Sequence, residues 1–516
     1  MYHIKVLASL DDRLDAEFYN PAALRTIQRM EDVGEVVTLG SLIQEGYRVV
    51  YHGTDSINGL KQDQLLPFLS PTQIDKDGAI SFEIAEQLPK YYKDEYPKGL
   101  AKEGELLVEV KGNVSKVAVV PSVFPKNLMI SGSLYKASIN QKKADTHYVL
   151  AFLKSASGQV LKDRLTSNTI INYIAKDALY SIPVFKVSIP AQKYIGEKVR
   201  QAERLRDWAK QLKAGVNSVL DDLALPIHAK PDMFSYAKKS ILGDRLDPRP
   251  YRSNVVDLVD SIESLDHDKI STLVTFSSGC PVSSNDFVEE NFAIPLVRIR
   301  NIAEEGFKGL DTGITQHTYD EAANYHAKEG MIVLGMDGYF KAQFCIPEEL
   351  PMLINQRVAM LAVNGIRAEL LTHWLNRPEG QLQLNQWAVK TTVEHTSLTD
   401  LAKVLIPRLN DSLEDELANK LSNARYSIRL SNKLTNLAKH LVEDLIEGQL
   451  TELQLVSAQQ ALEAGDDSLD RALLERMTAE GIDGEGDPLF DDLDQLYDLL
   501  DQAKQALDTD DTMVEA

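Results

Sequence analysis

The chain repeats itself. Asp12-Arg13-Leu14-Asp15, followed by Tyr19, returns as Asp244-Arg245-Leu246-Asp247, followed by Tyr251, each residue 232 positions further on. A self-similar period constrains a fold more than any local pattern, because it sets how many times one unit must be built. Later landmarks keep their order while the offset shrinks. Leu66-Pro67 and Gly78 match Ile294-Pro295 and Gly306 at 228; Glu103-Gly104, Gly112 and Pro121 match Glu329-Gly330, Gly338 and Pro347 at 226. Ile182-Pro183 matches Ile406-Pro407 at 224, and Gly158-Gln159 matches Gly380-Gln381 at 222. Small changes of loop length produce such drift. Two similar domains are expected, and a partner with two related sites.

Each copy closes on a long amphipathic stretch. In the first, Ile195, Val199, Ala202, Ala209, Leu212, Val216, Val219 and Leu223 recur at threes and fours or their sums. In the second, Leu417, Leu421, Ala424, Ser431, Leu434, Ala438, Leu441 and Leu445 do the same, each 222 positions on. That is the seam spacing of a coiled coil. The shared phase predicts that the helices pair, where a helix packed on its own domain would need no common phase. A helix over 189–223 would be roughly 50 Å long at about 1.5 Å per residue. Ahead of each helix the pattern is mixed. Short apolar runs at 105–110, 116–120, 331–334 and 340–346 are separated by Lys111-Gly112-Asn113 and Met336-Asp337-Gly338, which predicts β-hairpins. Helical stretches follow at 147–155 and 367–376. Pro226 and Pro231 mark a connection over 224–239.

Composition narrows the setting. Cys280 and Cys345 lie far apart without metal-like spacing, so a reducing cytosol is expected. Met1 through Leu14 has no long apolar run, and no stretch reaches the roughly 18 apolar residues of a membrane span. The formal charge of −22 looks hostile to nucleic acid. Yet residues 449–516 hold 19 acidic residues against three basic ones, so the rest is only mildly acidic and can carry basic patches. Leu489, Leu493, Leu496, Leu500, Ala503 and Leu507 give this tail a helical stripe. It is expected to be a solvated acidic helix or hairpin packed on the C-terminal end, or else a docking element, or a DNA-like mimic that shields a basic groove.

The layout resembles the specificity subunit of a type I restriction-modification enzyme. The residues that carry the resemblance are Arg13 to Tyr19, Ile294 to Ile302, Glu329 to Gly338 and Leu375 to Gly380, within a duplicated order covering residues 1 to 448. The resemblance implies an α+β chain with target-recognition domains at 1–186 and 225–408. Spacer helices at 187–224 and 409–448 would pair antiparallel, and 449–516 would be an acidic helical tail outside the family pattern. It implies a non-catalytic, cytoplasmic prokaryotic protein that reads a bipartite duplex DNA sequence. Methyltransferase subunits would dock on the helices, with a translocase-nuclease joining through them. No cofactor of its own is implied. Two modules on a stiff spacer suit a split site with a fixed gap near one helical turn, about 34 Å.

Base reading needs bidentate donors and acceptors; phosphate contacts need Lys, Arg and small polar groups. The candidates are Arg298, Arg300, Asn301, Lys308 and Lys341 in the second copy. In the first they are Ser70, Thr72 and Gln73, with Lys111, Asn113, Ser115 and Lys116 on the hairpin. Alternating Arg298 and Arg300 could equally be the solvated face of a strand. A rival is a metal-dependent nuclease using Glu109 and Lys111 as a Glu-x-Lys strand, with Asp94 or Glu95 as second acid; the repeat has Gly335 and Asp337 there. A protein-binding scaffold without DNA contact is the third class. No P-loop, His-Glu-x-x-His or Asn-Pro-Pro-Tyr signature is present. Lone histidines such as His52 and His373 have no partners at ligand spacing.

Overall fold

The computed structural model describes residues 16–51, 55–82, 85–167, 171–227, 230–234, 242, 245, 247–390 and 393–514. Asp12 to Asp15, His52, Asp244, Leu246 and part of the 224–239 connection lie outside them.

The first copy runs α1 (Pro21–Val33), β1 (Glu35–Thr38), β2 (Ile43–Tyr47), β3 (Leu65–Leu69), β4 (Glu86–Pro89), β5 (Leu106–Glu109), β6 (Lys111–Gly112), β7 (Val117–Val119), β8 (Met129–Ile130) and β9 (Leu134–Ile139). It continues with α2 (Thr146–Lys154), α3 (Ala156–Asp163), β10 (Asn172–Tyr173), β11 (Pro183–Lys186) and the long α4 (Ile189–Asp221). The second runs α5 (Ser253–Glu263), β12 (His267–Lys269), β13 (Val274–Ser278), β14 (Ile294–Val297), β15 (Ile302–Ala303), β16 (Gly306–Phe307), β17 (Gly313–Ile314), β18 (Ile332–Gly335), β19 (Ala342–Phe344), β20 (Leu353–Ile354) and β21 (Val358–Val363). It ends with α6 (Ala368–Asn376), α7 (Pro378–Gln386), β22 (Val389–Lys390), β23 (Glu394–His395), β24 (Leu405–Pro407) and the long α8 (Asp411–Glu447).

The sheets are built twice in the same order. β2-β9-β5-β7 recurs as β13-β21-β18-β19, β4-β3-β8 as β17-β14-β20, and β1-β11 as β12-β24. Even strand direction agrees: β3 is antiparallel to β4 and parallel to β8, as β14 is to β17 and β20. The central strands β5 and β18 are buried at every position, which is why they read as continuous apolar runs.

The Gly-Gln landmark has a steric cause. A Cβ at Gly158 would stand 1.9 Å from the Phe152 carbonyl oxygen, and one at Gly380 2.2 Å from that of Trp374. Only glycine lets α3 follow α2, and α7 follow α6, so closely. The glutamine ties the corner, Gln159 Nε2 donating to the Leu153 carbonyl at 3.0 Å and Gln381 Nε2 to that of Leu375 at 2.8 Å.

The chain divides into two compact units, Met1–Arg206 with Leu430–Ala516, and Asp207–Arg429. In the first, Arg206 of α4 donates to Thr435 Oγ1 of α8 at 2.8 Å. In the second, Val216 and Leu220 of α4 share a core with Leu417 and Leu421 of α8. Within each unit a stretch of α4 therefore lies against a stretch of α8. The stripe residues Ile195, Val199, Ala202, Ala209, Val216, Ala424, Leu434, Ala438, Leu441 and Leu445 are buried, as the seam spacing requires.

The α2–α3 and α6–α7 corners also meet the long helices. In the first unit the Ser157 N–H and hydroxyl donate to the Glu443 carboxylate at 2.8 and 2.7 Å. In the second, Arg377 donates to Asn217 Oδ1 at 2.8 Å and Asp221 Oδ1 at 2.6 Å.

The acidic C-terminal stretch belongs to the first unit. It forms α9 (Glu452–Glu463), α10 (Ser468–Glu475), the hairpin β25 (Met477–Thr478) to β26 (Gly481–Ile482), and α11 (Leu493–Val514). Its acids are not uniformly solvated, contrary to the sequence expectation. Asp470 is 1% exposed and accepts Lys198 Nζ at 2.6 Å and the hydroxyls of Tyr194 and Tyr497, each at 2.5 Å. A carboxylate can be buried only where charge and donors replace its water. No described helix is long and apolar enough to cross a membrane.

Candidate nucleic-acid interface

The sequence candidates fall on two different elements of each copy. Ser70, Thr72 and Gln73 stand just past β3, and Arg298, Arg300 and Asn301 just past β14, each set around a single 3-10 turn. Both turns close with one device. The Ser70 N–H donates to Gln73 Oε1 at 2.5 Å, and the Arg298 N–H to Asn301 Oδ1 at 2.9 Å. Asn301 Nδ2 then donates to the carbonyls of Lys308 and Gly309 at 3.0 and 2.5 Å. Ser70, Gln73 and Asn301 are buried. A buried amide whose hydrogen bonds are already made has nothing to offer a base edge. Gln73 and Asn301 each clamp the backbone of their turn, and Ser70 is buried beside Gln73.

The cations beside them carry their own counter-charges. Arg298 and Arg300 both donate to Asp311, and Lys308 to Glu305 at 2.6 Å. Thr72 is exposed and shares a 2.7 Å hydrogen bond with the Ser70 hydroxyl.

The second element is the β5–β7 hairpin and its counterpart β18–β19. Glu109 ends β5 and is buried. Its carboxylate accepts the backbone N–H groups of Asn113, Ser115 and Lys116 at 3.1, 3.0 and 3.1 Å. The turn beneath it needs this clamp, because Gly112 and Val114 both have positive φ, +122° and +57°. The Glu-x-Lys pattern is thus explained by a turn, and the nuclease rival loses its carboxylate. Asp94 and Glu95 sit on the separate short helix Tyr92–Glu95. Lys111 and Asn113 remain exposed at the tip, while Ser115 and Lys116 are half-buried on its return side.

A strand not foreseen in the sequence lies beside this tip. β6 pairs with β10, placing Lys111 opposite Tyr173. Arg48 donates from Nη1 to the Tyr173 hydroxyl at 3.1 Å and from Nε to the Gly132 carbonyl at 2.6 Å. Tyr47, Arg48, Tyr135, Tyr173 and Lys176 line an open cleft of about 250 Å³ next to it.

The second copy repeats the arrangement with other side chains. Asp337 faces His395 across an antiparallel bridge, as Lys111 faces Tyr173. Asp337 accepts Arg357 Nη1 at 2.8 Å and pairs with His395 Nδ1 at 2.5 Å. The Gly338 N–H donates to the Glu394 carbonyl at 2.8 Å, so the β18–β19 and β22–β23 tips lie side by side. Tyr339 projects from this tip 82% exposed, and Lys341 is exposed beyond it. Asn113, Ser115 and Tyr173 thus correspond to Tyr339, Lys341 and His395. Sequence reasoning missed Arg48, Tyr173, Tyr339, Arg357 and His395. The strand register brings in Tyr173 and His395, since Lys111 and Asp337 occupy equivalent sites, while Arg48 and Arg357 reach them from other segments.

The copies also differ beneath the surface. Glu105 and Lys136 form a buried pair at 3.1 Å in the first. The strand register Leu106 to Ala137, matched by Ile332 to Leu361, puts Met331 and Met360 at those places, within one apolar cluster.

No protein-family model and no curated protein matches this sequence. Among solved structures, the chain is similar to the S subunit of a type I restriction-modification system from M. genitalium, with 14% identity over 82% of this chain and 95% of that one, at a TM-score of 0.37. It is also similar to a chain from a structure of type I R-M complex assembly and conformational transition (13% identity, 81% and 98% covered, TM-score 0.28). A third is the HsdS subunit from Thermoanaerobacter tengcongensis (13% identity, 81% and 97% covered, TM-score 0.27).

Proposed function

We propose that the chain is a non-catalytic DNA-recognition subunit of a type I restriction-modification complex or a related phage-defence complex. Residues 1–186 and 225–408 would each read one half of a two-part duplex sequence. The helices within 187–224 and 409–448 would set the unread gap and receive methyltransferase subunits in the cytoplasm. The observation that supports it is a scaffold built twice with identical sheet orders, while the exposed polar residues at equivalent hairpin tips differ. A protein binding two identical sites would keep both tips alike; one reading an asymmetric split sequence needs them to diverge. Tethering on paired helices makes the second contact effectively intramolecular, so each module can be weak alone.

The test is modified-base mapping of DNA from cells that express the chain with its methyltransferase partner. A two-part methylated motif is expected. Exchanging residues 1–186 for the matching segment of another such subunit should change one half of that motif only. A change in both halves, or in neither, refutes the proposal.

A further inference from the structure

We infer that each copy reads its half-site through the paired tips. Arg48 and Tyr173 would set selectivity in the first copy, and Tyr339 and Arg357 in the second. This rests on the two-part DNA reading above and names the surface that does it. The strand-end turns are poor readers, because Gln73 and Asn301 at their closing positions are buried. At the tips the opposite holds. Lys111, Asn113 and Tyr339 are exposed on a two-stranded ribbon, an element that a major groove about 12 Å wide admits.

Arg48 is the best-prepared group in the first copy. Its hydrogen bonds to Tyr173 and Gly132 fix the guanidinium, and its ring contact with Tyr173 is 5.2 Å. The remaining N–H groups make no hydrogen bond among the described residues, and Arg48 lines the open cleft. A fixed guanidinium with spare donors suits the O6 and N7 of guanine. In the second copy the cation is supplied from the turn that leads into β21. Asp337 orients Arg357, which is 62% exposed at the side chain, and Tyr339 stands two residues from Asp337 in the β18–β19 turn. The two halves are therefore read by different side chains on one backbone frame.

The experiment is selection from a random duplex library by the purified full chain at low salt. The wild type is expected to enrich a two-part motif containing guanine in one half. Arg48→Lys, which keeps the charge but loses the fork, should cut preference at that guanine about ten-fold or more and leave the other half intact. Arg357→Ala and Tyr339→Ala should relax only the other half. If Arg48→Lys lowers the unfolding midpoint, the exposed pair Lys111→Ala/Asn113→Ala takes its place with the same expectation. A wild-type motif that survives all variants unchanged overturns the assignment of the tips while two-part reading stands. No motif with the wild type overturns both.

Discussion

The buried carboxylate at Asp470 gives a direct test of whether the acidic C-terminal stretch is part of the fold. Asp470 and Lys198 are each 1% exposed, and the carboxylate takes two donations from Lys198 at 2.6 and 2.7 Å besides those of Tyr194 and Tyr497. Asp470→Ala leaves an ammonium in the interior with no counter-charge and two hydroxyls with no acceptor. Breaking such a pair costs about 3–5 kcal/mol, a large share of the roughly 5–15 kcal/mol that holds a domain together. Replacing both charges by apolar groups, Lys198→Met with Asp470→Leu, removes the unpaired ion. It should recover most of the loss, leaving about 1–3 kcal/mol for the stranded hydroxyls. Equilibrium urea unfolding of the four proteins in the cycle measures the coupling directly. Burial would raise the Asp470 pKa, but the charge of Lys198 and the hydrogen bonds from Lys198, Tyr194 and Tyr497 outweigh it and hold the carboxyl below its ordinary value. A depressed carboxyl stabilises above its unfolded pKa, about 3.9, and that contribution is lost only as pH falls through the lower folded value. In the wild type that contribution should therefore be fully present at both pH 5 and pH 8. A single-mutant loss under about 0.5 kcal/mol, typical of surface sites, or strict additivity would refute the buried pair.

Two further changes follow from groups that burial leaves exposed to no water. Lys136→Met alone should cost about 3 kcal/mol or more by stranding Glu105, whereas Glu105→Met with Lys136→Met should come within about 1.5 kcal/mol of wild type, since the second copy already carries Met331 and Met360 there; urea unfolding decides it. Lys162 is fully buried, its Nζ has no hydrogen-bond partner among the described residues, and burial, aided by the charge of Lys154, pushes it down to about 8 from 10.5. The unfolded chain then binds more protons between those values, so wild-type stability should rise with pH across that window. Lys162→Met should flatten the slope without removing it, because burial pushes Lys154 down to about 8 as well, and should add about 3 kcal/mol at pH 7, at about 1.4 kcal/mol per unit; a pH series of unfolding midpoints without that difference would count against it.

The duplication, the helix pair and the central hairpins β5–β7 and β18–β19 were legible from the residues in order. Gly158 and Gly380 recur because a carbonyl lies where any Cβ would be, and the β5 and β18 runs recur because both faces are covered. Such demands act on each position separately, so they leave a mark at each position. The polar residues were much less legible. Gln73, Asn301 and Glu109 look like surface donors or catalysts until their neighbours are in place; then each is a clamp on its own turn.

By itself the sequence determined that one scaffold is built twice and that two striped helices close the copies, since core packing and turn sterics are periodic and local. Only the tertiary structure decided which polar groups are already satisfied and which still face water. A side chain's availability depends on what lies across space from it: Tyr173 beside Lys111, His395 beside Asp337, and Lys198 against Asp470 272 residues away.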